Sequence, residues 1–81
     1  MKVVHLPKTA LILGRRCRLN WESNASLNGW YAEVNPRVVR ELAADPRIDM
    51  RDAEADLASC GGVARFGHDE SGPYLCVYRR A

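Results

Sequence analysis

The sequence is poor in the residues that build reactive centres. It holds only two histidines and three cysteines, Cys17, Cys60 and Cys76, with no C-x-x-C pair among them. An odd, widely spaced set argues against the even disulfide framework of small secreted domains, and lacks the close ligand pair that structural zinc sites use. No glycine-rich loop suited to cradling phosphate is present, and no nucleophile elbow. No stretch approaches the ~20 apolar residues of a membrane-spanning helix. The opening MKVVHLPKTALILG is broken by His5, Pro7 and Lys8, so it does not read as a signal peptide. With no export signal to read, Asn24-Ala25-Ser26 is loop chemistry rather than a glycosylation site. These absences point to a cytoplasmic protein without cofactor or metal, and against an enzyme.

What remains is a globular composition. The chain has 81 residues, 47% hydrophobic and 27% charged, which fits one domain near the lower limit for a self-sufficient core. Val3, Val4, Leu6, Leu11, Leu13, Leu19, Trp21, Trp30, Val34, Val38, Leu42, Ile48, Leu57, Val63, Phe66, Leu75 and Val77 are the candidate core residues. Each contributes about 1.5–3 kcal/mol if fully buried, close to the ordering entropy it must offset. A second copy could supply further burial, which leaves a homodimer open.

Charge is unevenly spread, although the net is only +2. Residues 1–21 hold Lys2, Lys8, Arg15, Arg16 and Arg18 with no acid. All ten acids fall between Glu22 and Glu70, and Arg79 and Arg80 close the chain. Two basic ends thus flank an acidic middle.

The pattern reads as a small α+β domain over residues 1–81, an antiparallel sheet of four to five short strands with two short helices on one face. Strands are expected over about 2–34, helices over about 36–44 and 49–60, and a C-terminal hairpin over about 62–79. KVVHL (2–6) and TALIL (9–13) have strand composition, with Pro7 at a bend. From Gly14 onward, alternation puts Arg15, Cys17, Leu19 and Trp21 on one strand face and Arg16, Arg18 and Asn20 on the other. ESNASLNG is rich in turn formers and ends on Asn28-Gly29. Asn35-Pro36 starts a helix and Asp45-Pro46 stops it. A second helix begins near Asp49, with Asp49 and Asp52 suiting its positive end, and Gly61-Gly62 ends it. GVARFG and YLCVYR pair across the polar connection HDESGP.

The arginines raise two functional readings. Arg16 and Arg18 are expected to point outward, and the positive termini to fold together into one cationic surface held apart from the acidic helix. The leading expectation is a non-enzymatic protein-binding module that blocks or regulates a larger protein or protein–nucleic acid complex. Asp49, Asp52 and Asp56 would face a basic partner, and Arg16 and Arg18 an acidic one. Charged binders of this size are common among phage- and plasmid-encoded regulators and inhibitors, an analogy of size and charge alone. The alternative is nucleic-acid binding through Arg15, Arg16, Arg18, Arg79 and Arg80, with Trp21, Tyr74 or Tyr78 as stacking surfaces.

Other readings are weaker. Two helices followed by a hairpin have a winged-helix outline, but Asp49, Asp52, Glu54 and Asp56 against Arg51 would repel phosphate from the reading helix. His68, Asp69 and Glu70 are expected in the hairpin connection, without the second positioned group that acid–base catalysis needs. Cys60 falls at a helix C-terminus, where the dipole disfavours thiolate, and Cys17 and Cys76 suit buried strand positions.

Overall fold

A computed structural model describes residues 5–80 and contains six strands and two helices. The strands are β1 (Thr9–Ile12), β2 (Arg15–Arg18), β3 (Asn20–Asn24), β4 (Gly29–Glu33), β5 (Val63–Asp69) and β6 (Gly72–Arg80). Between β4 and β5 come α1 (Pro36–Ala44) and α2 (Met50–Ala58). All strand pairing is antiparallel. β1 and β2 form a separate two-stranded hairpin, while the other four form a sheet in the order β3-β4-β6-β5.

The α+β reading holds, and both helices pack on one face of the larger sheet. The larger sheet has four antiparallel strands, within the expected four to five, and a separate two-stranded hairpin stands beside it. The extra hairpin arises because the chain reverses at Leu13-Gly14, both with positive φ (51° and 79°), the pattern of a type I′ turn. Of the strand expected over 2–6, only His5 and Leu6 are described, and neither is in a strand.

The helix limits follow from capping. Asn35 accepts a hydrogen bond from the Arg37 N–H at 2.8 Å, Pro36 occupies the first turn, and Asp45 ends α1 in extended geometry ahead of Pro46. Asp49 caps α2 by accepting from the Arg51 N–H at 2.9 Å. Ser59 closes α2, and Gly61 turns the chain away with φ 100°.

The core lies between the helices and one face of the larger sheet. Val39 and Leu42 of α1, and Ala53 and Leu57 of α2, meet Leu75 and Val77 of β6 and Ala32 and Val34 beside β4. Ala10, Ile12, Cys17 and Leu19 bury the inner side of the hairpin against the same cluster. Of the expected core residues, Val3 and Val4 lie outside the described residues, Leu6 and Trp30 are only partly buried and stand apart from the cluster, and three more are exposed. Leu11 is 57% exposed because alternation in β1 turns Ala10 and Ile12 inward and Leu11 out. Leu13 is 37% exposed at the turn, and Val63 is 72% exposed on the side of the sheet away from the helices.

His68 and Asp69 belong to β5 rather than to a loop. The connection is the tight turn Glu70-Ser71, in which the Ser71 N–H donates to Asp69 Oδ1. ESNASLNG is only partly a loop: its first three residues complete β3, and Ala25–Leu27 form a single 3-10 turn capped by Asn24.

Candidate functional site

The outward face of the β1–β2 hairpin carries the sequence-predicted arginines. Thr9 pairs with Arg18 and Leu11 with Arg16 across the two strands, so these four side chains form one exposed patch. Arg16 Nη1 donates to Thr9 Oγ1 at 3.2 Å. Neither Arg16 nor Arg18 forms an ion pair among the described residues, and the hairpin itself contains no acid. Arg15 takes the other course open to it: sharing a face with buried Cys17, it reaches sideways to Glu41 of α1 at 2.7 Å. Both partners are about half exposed, so this bridge contributes about 1 kcal/mol or less.

Leu13 sits at the hairpin tip in a left-handed conformation that costs a non-glycine residue about 1–2 kcal/mol. Asn or Gly would sit there comfortably; a leucine, 37% exposed, does not. Such outliers concentrate at functional positions. The turn is held by α2, because the Leu13 N–H donates to Asp56 Oδ2 at 2.8 Å.

The acidic trio is therefore not a set of free carboxylates. Asp49 is the α2 cap and binds the Arg51 guanidinium at 2.8 Å, and Asp56 anchors the hairpin. Asp52 alone of the three makes no side-chain hydrogen bond among the described residues, lying exposed in the first turn. Glu54 is engaged as well, accepting from the Phe66 N–H of β5 at 2.6 Å. The acidic helix is thus joined to the basic hairpin rather than held apart from it.

Among the described residues the two basic ends do not form one surface; Lys2 lies outside them. Arg79 Nη1 donates to the carbonyls of His5 and Cys60, on the helix side of the sheet. Arg80 is paired with Gly29, at the end of the sheet remote from the β2–β3 junction where Arg18 lies. Trp21 is half-buried against the core, and its Nε1 donates to the Pro7 carbonyl at 2.7 Å. Arg15, Trp21 and Arg79 thus have structural partners, while Arg16, Arg18 and Arg80 remain exposed.

A second surface, not singled out from the sequence, is the helix-free face of the larger sheet. Tyr31 and Tyr78 stand opposite one another on β4 and β6, and Tyr74 crosses to Gly67 of β5. The Tyr74 ring lies so close over Gly67 that a Cβ there would collide with it; at Gly29 a Cβ would collide first with the Arg79 carbonyl and then with the edge of Tyr78. Glycine at these two positions lets the rings lie down on the sheet. Tyr31 Oη donates to Glu33 Oε1 at 2.7 Å, and Tyr78 Oη to the Leu27 carbonyl. Burial and the Glu33 hydrogen bond push the Tyr31 phenol well above its ordinary range. The sequence signal was there in the alternation of YLCVYR, but which face the helices leave open depends on their packing.

Cys76 shares this face with Glu33, Tyr31 and Arg65, a group that resembles a reactive cluster in composition. Its electrostatics point the other way. Burial pushes the thiols of Cys17, Cys60 and Cys76 up, away from thiolate. Among the described residues, no group of three or more His, Cys, Asp or Glu side chains is placed to hold a metal ion, and no helix is long and apolar enough to cross a membrane. No family model, curated protein or solved structure matches this chain.

Proposed function

We propose that the chain is a small non-enzymatic protein-binding module that grips a larger partner with the outward side and tip of the β1–β2 hairpin. Leu11 and Leu13 supply apolar contact, and Arg16 and Arg18 supply charge directed at an acidic partner surface. The observation that carries this reading is the pairing of exposed leucines with unpaired arginines on a hairpin whose tip holds Leu13 in a strained conformation. Arginine is enriched among binding hot spots, and exposed leucines add apolar burial on docking. A rigid hairpin anchored by Asp56 loses little freedom on docking. Blocking or regulating the partner is the activity such a module would have.

The test is capture from a host lysate with tagged protein, with and without nuclease. A captured protein that survives nuclease, and is lost with Leu11→Ser or Arg16→Ala/Arg18→Ala, is the expected result. Undiminished capture by both variants removes the reading.

A second reading, nucleic-acid binding, is favoured by one observation: Lys8, Arg16 and Arg18 lie close in sequence on the hairpin segment with no acid among them. A two-stranded ribbon fits a major groove. On this reading, affinity falls with salt at a log–log slope of about −2 to −3, the value for that number of phosphate contacts. A flat salt response ends it.

A further inference from the structure

The β1–β2 hairpin leaves one edge of its ladder open. The Leu19 N–H donates to the Lys8 carbonyl at 2.8 Å, which continues the ladder, so Arg15, Cys17 and Leu19 turn their backbone groups towards β1. Arg16 and Arg18 turn theirs the other way. On that side of the same run of chain, Asn20 and Glu22 of β3 pair with Glu33 and Tyr31 of β4, whose N–H groups face β3 because that of Val34 goes to Leu75 of β6. β4 ends at Glu33, since the chain leaves the sheet at Asn35-Pro36 to enter α1. The line that β4 would have followed beside β2 is left open. Among the described residues no second strand pairs with β2, and no backbone hydrogen bond from another segment reaches Arg16 or Arg18. Arg18, Asn20, Val34, Asn35 and Pro36 line a groove at this edge.

We propose that β2 takes up an extended, acidic segment of the partner protein as an added strand. The proposal rests on the hairpin reading and names what the hairpin grips. An open edge is a template for strand addition, in which main-chain hydrogen bonds give affinity and alternate side chains give specificity. The N–H and C=O groups of Arg16 and Arg18 supply the first. Their side chains supply the second, standing on the outward face without an ion pair among the described residues. Arg16 spends one donor on Thr9 and keeps others for a carboxylate. An added strand with Glu or Asp at every second position brings its carboxylates beside both arginines. The residues between them turn towards α1, where Arg15 is already paired with Glu41.

A second edge of the fold is treated differently. β5 also borders its sheet, but there Glu54 of α2 accepts from the Phe66 N–H at 2.6 Å. Carboxylates accept from the backbone N–H groups of Leu13, Arg47, Arg51, Phe66 and Ser71, yet none meets Arg16 or Arg18 among the described residues. β2 is therefore without the cover that β5 has. Its arginines repel a basic strand and attract an acidic one, so the edge is selective rather than closed. A nucleic acid would meet the guanidinium groups, but its phosphodiester backbone has no N–H to offer the open carbonyls of Arg16 and Arg18.

The test is NMR hydrogen exchange of the full chain at low salt, with the end-capped peptide Glu-Thr-Glu-Thr-Glu as the probe. Binding should slow exchange at the Arg16 and Arg18 amides and leave that of Phe66 unchanged. N-methylation of alternate peptide residues separates strand addition from attraction of charge alone. Methyl groups in the phase that faces β2 should weaken binding at least about tenfold, and those in the other phase should change it by no more than about twofold. Equal binding by the two methylated peptides overturns the proposal, as does a peptide that leaves both arginine amides unprotected at millimolar concentration. Neither result touches the hairpin reading, which falls only if Leu11→Ser and Arg16→Ala/Arg18→Ala both leave partner capture undiminished.

Discussion

The backbone N–H of Leu13 donates to Asp56 Oδ2 at 2.8 Å, tying the tip of the β1–β2 hairpin to the last turns of α2. The bond holds a turn residue whose φ of 51° works against its side chain. Removing the acceptor with Asp56→Ala should lower stability by about 1 kcal/mol and raise hydrogen exchange at the hairpin before the rest of the fold. Leu13→Asn should act in the opposite direction. It places Asn-Gly, the preferred type I′ pair, in the turn and should stabilise the fold by about 0.5–1 kcal/mol. If Leu13 is a binding contact, the same change weakens partner capture while denaturant melts show a firmer fold. Loss of stability in Leu13→Asn would show that the leucine packs rather than waits for a partner.

Arg79 connects the two ends of the chain through the carbonyls of His5 and Cys60. These are charge-assisted bonds, stronger than neutral ones. Arg79→Ala should therefore cost about 2 kcal/mol of folding stability in urea titrations. It should leave the salt dependence of any nucleic-acid binding unchanged, since its guanidinium faces the helix side. A reduced salt slope in this variant would return Arg79 to the phosphate-binding set.

Local signals in the sequence placed the helices and the strand faces, because each rests on neighbours in the chain. Asn35-Pro36 and Asp49 mark helix starts through side chains that reach two residues ahead. The alternation from Arg15 to Trp21 likewise put Cys17 and Leu19 inside and Arg16 and Arg18 outside. What escaped is set by contacts distant in sequence. Leu13-Gly14 is an unusual turn pair, stabilised from 43 residues away by Asp56. The roles of Asp56, Glu54 and Arg79 were hidden for the same reason: a charged residue reads as solvated until its backbone partner is known. The tyrosine face could not be singled out before the packing of the helices decided which side of the sheet stays open.

Acid should weaken the fold slightly at its two exposed Asp-x-Arg turns. Hydrogen bonds from Arg47 and Arg51 hold the carboxyls of Asp45 and Asp49 below their ordinary value of 3.8. The unfolded chain therefore takes up these protons at higher pH than the folded one. The stabilisation is complete above the ordinary carboxylate range and disappears as pH falls through the folded values. Asp45→Asn/Asp49→Asn keeps a capping side chain at both positions but removes the titration. Wild type and variant should differ at neutral pH and converge below pH 3.8, read as urea midpoints across a pH series. A constant gap would assign the effect to capping alone.

The thiols should be sluggish. Burial raises all three, so little thiolate is present at neutral pH. Alkylation followed by mass spectrometry should label the native protein more slowly than the urea-unfolded chain. Cys17, the only one of the three that is fully buried, should react last. Fast labelling of Cys76 at neutral pH would contradict the burial assigned to it and reopen a reactive role for that face.

Glu54 shields the exposed edge of the larger sheet. β5 is an edge strand, and the Phe66 N–H that points away from β6 is met by Glu54 Oε2 at 2.6 Å. An unpaired N–H at an edge invites another strand, and a carboxylate placed against it both satisfies the donor and repels carbonyl oxygens. Glu54→Ala should cost about 1–3 kcal/mol because the half-buried donor loses its partner. It should also raise exchange at Phe66 and promote concentration-dependent aggregation through β5. Glu54→Gln keeps an acceptor without the charge, so it should recover most of the stability and less of the resistance to aggregation. Equal aggregation of the alanine variant and the wild type would mean that the packing of α2, rather than the carboxylate, protects this edge.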